Sequence, residues 1–241
     1  MNPALYSTLP YMTETDLNAD LSKRVAVATA AMPWSPSPSP SVWRKRVHRA
    51  GPAESGQVTS VVRYDAGSDF PVHEHPDGEE ILVLDGVFQD EHGDFSAGSY
   101  IRNPPQSRHT PGSDEGCVIL VKLWQFDLAD RTHVRIDTNK MAAVPDRDRP
   151  GVAVTPLFAD GRETVRLERW DAGAVVAPDT DGGAEVFVLV LGAIALAGEA
   201  TGGTLKMMVP HAYRRSDWIL AKGLVLLAVS VCFLLVVARS T

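Results

Sequence analysis

The stretch FPVHEHPDGEEILVLDG, residues 70–86, places side chains that can bind a metal immediately before a strongly apolar segment. His73 and His75 are two positions apart, so on an extended chain their side chains point to the same face. The turn residues PDG follow, and Glu79 begins the next strand beside them. Two imidazoles and one carboxylate converging in one hairpin form the core of a metal site with nitrogen and oxygen ligands. A solvated polar turn is the alternative interpretation.

A third imidazole is available in NPPQSRHT, where His109 follows a proline-containing turn. The candidate metal ligands are therefore His73, His75, Glu79 and His109. Three histidines and one glutamate suit Zn²⁺, Fe²⁺, Mn²⁺, Ni²⁺ or Cu²⁺, and the set contains no thiolate that would favour structural zinc. The remaining histidines are interpreted as solvated: His48, His92, His133 and His211.

Short apolar runs separated by turn residues continue from Ser41 onward. The runs VWRKRV, QVTSVVRY, EEILVLDGVF, SYIRN and CVILVKLWQF are rich in β-branched and aromatic residues, which favours strands. Glycine, proline, aspartate and asparagine occupy the breaks between them. Many short strands without a long helical period predict an all-β sandwich or barrel.

An internal repeat is also visible. The segment VVRYDAGSDFPVHEHPDGEEILVLDG aligns without gaps with a later segment, so that Asp65-Ala66-Gly67 falls on Asp171-Ala172-Gly173. Asp179 and Asp181 then stand opposite His73 and His75. Because aspartate does not replace imidazole as a ligand of equal softness, we expect two tandem β modules, of which the second binds no metal.

These features predict four regions: an N-terminal lead-in with a Pro/Ser-rich stretch over 1–40, a metal-binding domain over 41–140, a degenerate second module over 150–215, and an apolar segment over 219–238. The last segment carries Lys222 as its only charge and is about long enough to span a bilayer as a transmembrane helix. Basic residues on its N-terminal side would keep the globular part in the cytoplasm. The alternative for this segment is a pair of buried core strands.

Composition and sequence signals restrict the expected partners and the expected location of the protein. A net charge of −7 argues against a nucleic-acid surface, and the basic cluster WRKRVHR, residues 43–49, is interpreted as a solvated strand edge. The two cysteines, Cys117 and Cys232, form no CxxC pair, and the N-terminus lacks a signal-peptide pattern, so we expect a cytoplasmic domain. The expected partner is a small molecule or a regulatory protein, and a homodimer is an alternative.

The spacing of these residues resembles a known family. The first conserved motif of the cupin superfamily is matched by Gly67, His73, His75, Glu79 and Gly86, and the second by Gly98, Pro104 and His109. In the second motif Gln106 stands where glycine is usual, and the trailing asparagine is missing. The resemblance implies a double-stranded β-helix, the cupin jelly roll, here as a tandem bicupin.

More narrowly, residues 34–140 look like the cupin-like domain of ChrR-type anti-sigma factors, and residues 150–198 resemble it weakly. That resemblance implies one divalent ion, zinc before iron or manganese, held by His73, His75, His109 and Glu79. The sigma-binding half of the family is a helical domain with a His/Cys zinc motif. No cysteine precedes Cys117, so inhibition of a sigma factor is not expected to carry over.

Three functions remain open from the sequence: a metal-binding sensory or regulatory module, a non-haem metal-dependent dioxygenase acting on a small molecule, and a metal-stabilised scaffold. Catalytic residues are unknown, because nothing beyond the candidate ligands indicates a reaction. Cys117 is expected to be a buried, inert thiol. Side chains interpreted as core or rim packing, with lining of a pocket as the alternative, are Tyr64, Tyr100, Arg102 and Trp124.

Overall fold

The computed structural model describes residues 16–175, except 22, 24 and 53–55, together with 184–190 and 232–239. Nearly all regular structure in these residues is β-strand, beside two 3₁₀ turns at Thr29–Ala31 and Thr138–Lys140. The strands are β1 (Ser35–Pro36), β2 (Val42–Ala50), β3 (Gln57–Tyr64), β4 (Ser68–Asp69), β5 (His73–His75), β6 (Glu79–Asp90), β7 (Gly93–Ser96), β8 (Ser99–Asn103), β9 (Ser107–His109), β10 (Gly112–Ser113), β11 (Cys117–Leu123), β12 (Val134–Asp137), β13 (Val144–Pro145), β14 (Val152–Ala159), β15 (Glu163–Trp170), β16 (Ala184–Val190) and β17 (Cys232–Arg239). The prediction of an all-β fold is confirmed.

The first sheet has ten strands in the order β1-β2-β3-β11-β6-β10-β4, with β7 and β8 also paired to β6, and β12 paired to β8. Strands β5 and β9 form a separate two-stranded ribbon. The pairings are antiparallel, and β6 and β11 lie next to each other although four strands separate them in sequence. This arrangement is jelly-roll-like, and it places the ribbon that carries three candidate ligands beside the start of β6.

The second sheet has five strands in the order β13-β14-β15-β17-β16. The same order, β1-β2-β3-β11-β6, runs through the first sheet, so each strand of the second sheet has a counterpart in the first. The tandem organisation over 150–215 stays a prediction, because the structure leaves 191–231 undescribed.

The central strands of the first sheet are buried on both faces. Along β11, Val118 and Leu120 pack toward the second sheet, whereas Cys117 and Ile119 pack into the interior of the first. The cluster that contains Val118 and Leu120 also contains Leu157, Val165 and Leu167 of the second sheet. Burial on both sides explains why β6 and β11 read as continuous apolar runs instead of alternating ones.

A buried arginine reinforces the contact between the two sheets. The guanidinium of Arg102 lies 3.6 Å from the ring centroid of Phe126 and 3.9 Å from that of Phe158. Its Nη2 donates to Asp130 Oδ2 at 2.9 Å and contacts Glu163 Oε1 at 2.7 Å. The flat guanidinium suits this role, because it can stack on aromatic faces while its edge pairs with carboxylates.

The C-terminal apolar segment differs from the helix prediction where the structure describes it. Cys232–Arg239 is strand β17, which pairs with β15 on one side and β16 on the other. A central strand satisfies its backbone groups through two neighbours, and the valines of this segment favour that conformation. The alternative of a strand therefore holds for 232–238, and 219–231 lie outside the described residues. No helix in the part of the chain that the structure describes is long and apolar enough to cross a membrane.

Candidate metal centre

The β5–β9 ribbon brings the three candidate histidines together. His73 pairs directly with His109 across the ribbon, and His75 lies two positions further along on the same face. The ring centroids are 4.7 Å apart for His73 and His75, 5.2 Å for His73 and His109, and 5.0 Å for His75 and His109. One ligand atom from each histidine lies within 4.8 Å of the others, so the three rings can share one ion.

Glu79 joins this group from the first position of β6. Its Oε2 lies 3.5 Å from His75 Nε2 and 3.4 Å from His109 Nε2. Asn103, its cross-strand neighbour on β8, donates from Nδ2 to the same oxygen at 3.3 Å. Glu79 therefore lies beside two of the three clustered histidines, and His75, Glu79 and His109 are buried.

Two of the histidines are oriented through their other ring nitrogen. His109 Nδ1 lies 3.3 Å from Asp90 Oδ2, and His73 Nδ1 lies 2.9 Å from the carbonyl oxygen of Pro71. When Nδ1 donates to these oxygens, the lone pair of Nε2 is left for the centre of the cluster. Metal-bound histidines almost always have such a partner, so this pattern is independent support for ligand roles.

Asp90 is a site residue that the sequence did not reveal. It ends β6, and its Oδ1 accepts from the backbone nitrogen of His92 at 2.7 Å. In the sequence this aspartate precedes EHG and reads as a turn residue. No pattern in one sequence distinguishes an aspartate that caps a turn from one that also orients an imidazole.

The surroundings of the site shift the pKa values of His75 and His109 in opposite directions. Burial lowers the pKa of His75, with the nearby His109 and His73 contributing and Glu79 opposing the change. Burial also lowers the pKa of His109, but its hydrogen bond to Asp90 and the charge of Glu79 outweigh that effect and raise the pKa. A neutral His75 at physiological pH is the form that can bind a metal.

The donor set fits a divalent metal ion. His75 Nε2 and His109 Nε2 are 3.0 Å apart. Two nitrogens bound to one ion at about 2.0–2.1 Å lie about 2.8–3.4 Å apart when the angle between them is octahedral to tetrahedral. Burial of a carboxylate among imidazoles is costly unless a cation compensates for it. The set contains nitrogen and oxygen donors and no sulfur.

A cavity of about 240 Å³ opens beside the histidines inside the first sheet. His73, His75 and Glu79 form part of its wall. Tyr64 and Trp124 also line it, as the pocket alternative in the sequence analysis allowed. The cavity leaves room for a small molecule beside the proposed ion.

Tyr100 and Arg102, the other two residues considered for the pocket, do not line the cavity. Tyr100 and Arg102 are buried on the opposite face of the sheet, where Tyr100 Oη donates to Glu80 Oε1 at 2.5 Å and Arg102 contacts the second sheet. For these two residues the interpretation as packing residues agrees with the structure.

The basic residues of β2 do not all lie at a solvated strand edge. Arg44, Arg46 and Arg49 line the cavity, so the prediction that this strand is only a solvated edge is wrong for them. Burial, and secondarily the charge of Arg46, lower the pKa of Arg44 to about 10. Lys45 is on the other face, where its Nζ lies 4.4 Å from the ring centroid of Trp34.

Gln106 shows why glycine is usual at its position in the second cupin motif. Its backbone lies in the left-handed region, with φ of 68°, which glycine adopts without steric cost. Its backbone nitrogen donates to the carbonyl oxygen of His75 at 2.8 Å, which holds the turn against β5. The departure from the motif therefore leaves the position of His109 intact.

A second group, Asp90, Glu91 and His92, also brings potential ligand atoms together. Glu91 and His92 are exposed, and the side chain of His92 retains 43% of its accessible surface. This agrees with the prediction that His92 is solvated, and a group of exposed acidic residues does not by itself indicate an ion.

Comparison with known proteins agrees with this geometry. Residues 22–127 match the family model described as the ChrR Cupin-like domain. No match was found among the curated proteins.

Several solved structures are similar. The complex of Rhodobacter sphaeroides SigE with the anti-sigma ChrR has 23% identity and a TM-score of 0.33, covering 43% of this chain and 53% of that one. A putative acetylacetone dioxygenase from Methylibium petroleiphilum PM1 has 18% identity and a TM-score of 0.39, covering 49% and 92%. A cupin 2 conserved barrel domain protein from Leptotrichia buccalis has 8% identity and a TM-score of 0.49, covering 93% and 99%.

The chain thus spans about half the length of the matched chain in the first of these structures, the SigE–ChrR complex. The motif spacing, the jelly-roll-like sheet and the family match all concern the same part of the chain. Over residues 22–127, which are less than half of the chain, the protein is similar to the ChrR cupin-like domain.

Proposed function

We propose that the chain is a regulatory or sensory module that holds one divalent metal ion through His73, His75, His109 and Glu79. The observation that carries this proposal is the convergence of three imidazoles and one carboxylate, two of the imidazoles being oriented by acceptors at Nδ1. Zinc is the first expectation, with iron or manganese as alternatives, because nitrogen and oxygen ligands accept all three. A bound divalent ion would supply Lewis acidity and would tie the β5–β9 ribbon to β6.

The family match supports the regulatory role. A ChrR cupin-like domain is matched over residues 22–127, and ChrR is named as an anti-sigma factor in the complex with SigE. We therefore propose a regulatory protein as partner, without assigning a sigma factor to this chain. The second module, over 150–215, is proposed to bind no metal.

A metal-dependent dioxygenase is the second candidate, and the cavity favours it over a purely structural metal. The cavity of about 240 Å³ borders His73, His75 and Glu79, so a small molecule could reach the ion. A structural site has a closed ligand set, whereas a catalytic one keeps a position open. Oxygen uptake by the Fe²⁺-loaded protein in the presence of small organic acids would support the enzyme, and its absence would favour the regulatory module.

The metal proposal is tested by elemental analysis of the full chain after purification and dialysis. We expect about one equivalent of a divalent metal in the wild-type protein and less than a tenth of that in His73→Ala, His75→Ala and His109→Ala. His133→Ala is the matched control, because His133 is an exposed histidine outside the candidate ligand set and should leave the metal content unchanged. Wild-type protein that binds no metal after reconstitution would refute the proposal.

A further inference from the structure

The turn that joins two of the candidate ligands is held by a residue outside the metal site. This turn runs from His75 to Glu79, and the backbone nitrogen of Phe126 donates to the carbonyl oxygen of Asp77 within it at 3.2 Å. The ring of Phe126 also lies against Gly78, so closely that a Cβ at Gly78 would overlap it. The position of the turn, and with it the spacing of the two ligands that it joins, therefore depends on Phe126.

The backbone at Trp124 directs Phe126 away from the cavity. Side chains two positions apart in an extended chain share a face, but Trp124 lines the cavity whereas Phe126 stacks on Arg102 on the opposite face of the sheet. The φ of Trp124 is 59°, in the left-handed region that bulky residues rarely adopt. Its backbone nitrogen donates to the carbonyl oxygen of Gly78 at 3.1 Å. A costly conformation of this kind persists only where the surrounding structure requires it, and such residues cluster at functional sites.

Phe126 is at the same time part of the contact between the two sheets. The guanidinium of Arg102 lies between its ring and that of Phe158 on β14, and Nη2 of Arg102 contacts Glu163 Oε1 on β15 at 2.7 Å. A continuous row of contacts therefore leads from the turn beside the metal site through Phe126 and Arg102 to the second sheet. Packed side chains and buried ion pairs of this kind can carry energetic coupling between distant sites.

We propose that Phe126 is a positioning residue through which the second sheet sets the metal affinity of the first. The pair of Glu163 with Arg102 holds the ring of Phe126, and Phe126 holds the turn that spaces His75 and Glu79. Coupling of this kind is reciprocal, so a bound ion also strengthens the contact between the sheets. The inference deepens the proposed regulatory function and rests on it only for the ion. It gives the second module a task that requires no metal of its own.

The zinc affinity of the full chain, measured by competition with a chromophoric chelator, tests the inference. Phe126→Leu and Glu163→Gln should each weaken zinc binding about tenfold, as changes in the support of metal ligands do. In the double variant the two losses should not add, because both changes interrupt the same row of contacts. Phe126→Tyr keeps an aromatic face for Arg102 and should bind zinc within about twofold of the wild-type protein. Arg169→Gln removes a charge from an exposed position of β15, and this matched control should also stay within about twofold.

Hydrogen exchange of the metal-free protein tests the same row of contacts without an ion. The amide of Phe126 donates to the turn, so its exchange rate reports how firmly the two are joined. Glu163→Gln should raise this rate about tenfold, and Arg169→Gln should leave it within about twofold. The amide of Val62 in β3 is the internal reference for global stability, and its rate should rise much less than that of Phe126 in Glu163→Gln.

The two measurements separate failure of the metal site from failure of the coupling. Wild-type protein that binds no zinc would refute the metal proposal, and a selective rise in the exchange rate of Phe126 in Glu163→Gln would leave the coupling of the turn to the second sheet standing. Additive losses of zinc affinity in the double variant, an equal loss in Arg169→Gln, or an equal rise in exchange at Val62 would each overturn the inference. If Phe126→Leu fails to fold, unchanged zinc affinity and unchanged exchange in Glu163→Gln would overturn it on their own.

Discussion

Asp90 is the hydrogen-bond partner of His109 at Nδ1. The aspartate accepts from Nδ1 of the imidazole on one oxygen and from the backbone nitrogen of His92 on the other. The turn after β6 therefore fixes the carboxylate, and the carboxylate fixes the ring. Although burial opposes ionisation, the hydrogen bond from His109 and the one from His92 lower the pKa of Asp90, so the group stays charged at neutral pH.

Replacement of this partner should weaken metal binding without removing the ligands. Asp90→Asn should lower the affinity for zinc about 10–100-fold, because the ring loses the charged acceptor that holds it in place. The affinity is measured by competition with a chromophoric chelator. Asp94→Asn is the control, since Asp94 is an exposed aspartate on the adjacent strand β7. Equal affinities for the two variants would mean that Asp90 has no positioning role.

Gly86 is the residue at which the close approach of β6 and β11 depends on a missing side chain. Its φ is 70°, and a Cβ placed there would lie 2.1 Å from the carbonyl oxygen of Gly116. Gly67 has a similar φ of 73°, but a Cβ there would meet nothing within 4 Å. A comparison of the same substitution at Gly67 and at Gly86 therefore separates the cost of the backbone conformation from the cost of a steric clash.

Substitution by alanine at these two glycines should give clearly different stabilities. Gly67→Ala should lower the free energy of unfolding by about 1–2 kcal/mol, the cost of a left-handed backbone for a residue with a Cβ. Gly86→Ala should cost at least about 2 kcal/mol more, because the backbone of the neighbouring strand must move. Urea unfolding followed by circular dichroism measures both, and equal losses would show that the strands can separate freely.

The contact between the sheets is an element-scale feature in which charge and packing act together. Strand β8 supplies Arg102, which is 1% exposed and bonded to Asp130 and Glu163. A second pair between the same regions, Arg162 with Asp127, lies at the surface, and the side chain of Arg162 is 51% exposed. Only the first pair should matter for stability, since an exposed ion pair contributes little.

Loss of the buried arginine should destabilise the protein much more than loss of the exposed one. Arg102→Ala should lower the free energy of unfolding by about 3–5 kcal/mol, because it leaves two carboxylates without their partner in the interior. Arg162→Ala should lower it by less than about 1 kcal/mol. Chemical denaturation of the two variants and the wild-type protein measures both changes in the free energy of unfolding. A small effect of Arg102→Ala would indicate that water enters the contact.

How far the sequence could predict these features depends on the kind of constraint. The clustering of His73, His75 and His109 was predictable, because metal chemistry restricts residue type and the strand period restricts spacing. The side of the sheet on which Arg44, Arg46 and Arg49 lie was not, because one bulged residue decides it and a bulge leaves no mark in composition. The helix predicted over 219–238 failed for 232–238, since an apolar strand paired on both sides resembles a membrane span in hydropathy alone.

At the scale of the whole molecule, the two sheets share one core cluster. Val165 of β15 is 0% exposed and packs with residues of β3 and β11, so the second sheet covers what would otherwise be an apolar surface. The candidate metal site lies on the far face of the same sheet. Stability of the site and attachment of the second sheet should therefore be linked through β6 and β11.

Hydrogen exchange of the backbone amides should show this link. The amides of β15 and those of β11 should exchange with opening free energies within about 1 kcal/mol of each other, because residues of one core open together. Val165→Asp should lower both values by a similar amount. Exchange of β15 at an opening free energy several kcal/mol below that of β11 would mean that the second sheet detaches on its own.

The central claim is that three imidazoles and one carboxylate hold the ion, and X-ray absorption at the zinc edge of the zinc-loaded full chain tests it most directly. The predicted spectrum has only nitrogen and oxygen scatterers at about 2.0–2.2 Å, with the multiple-scattering pattern of three imidazoles, and it loses one imidazole in His109→Ala. A sulfur scatterer at about 2.3 Å, or a spectrum unchanged in His109→Ala, would contradict the account.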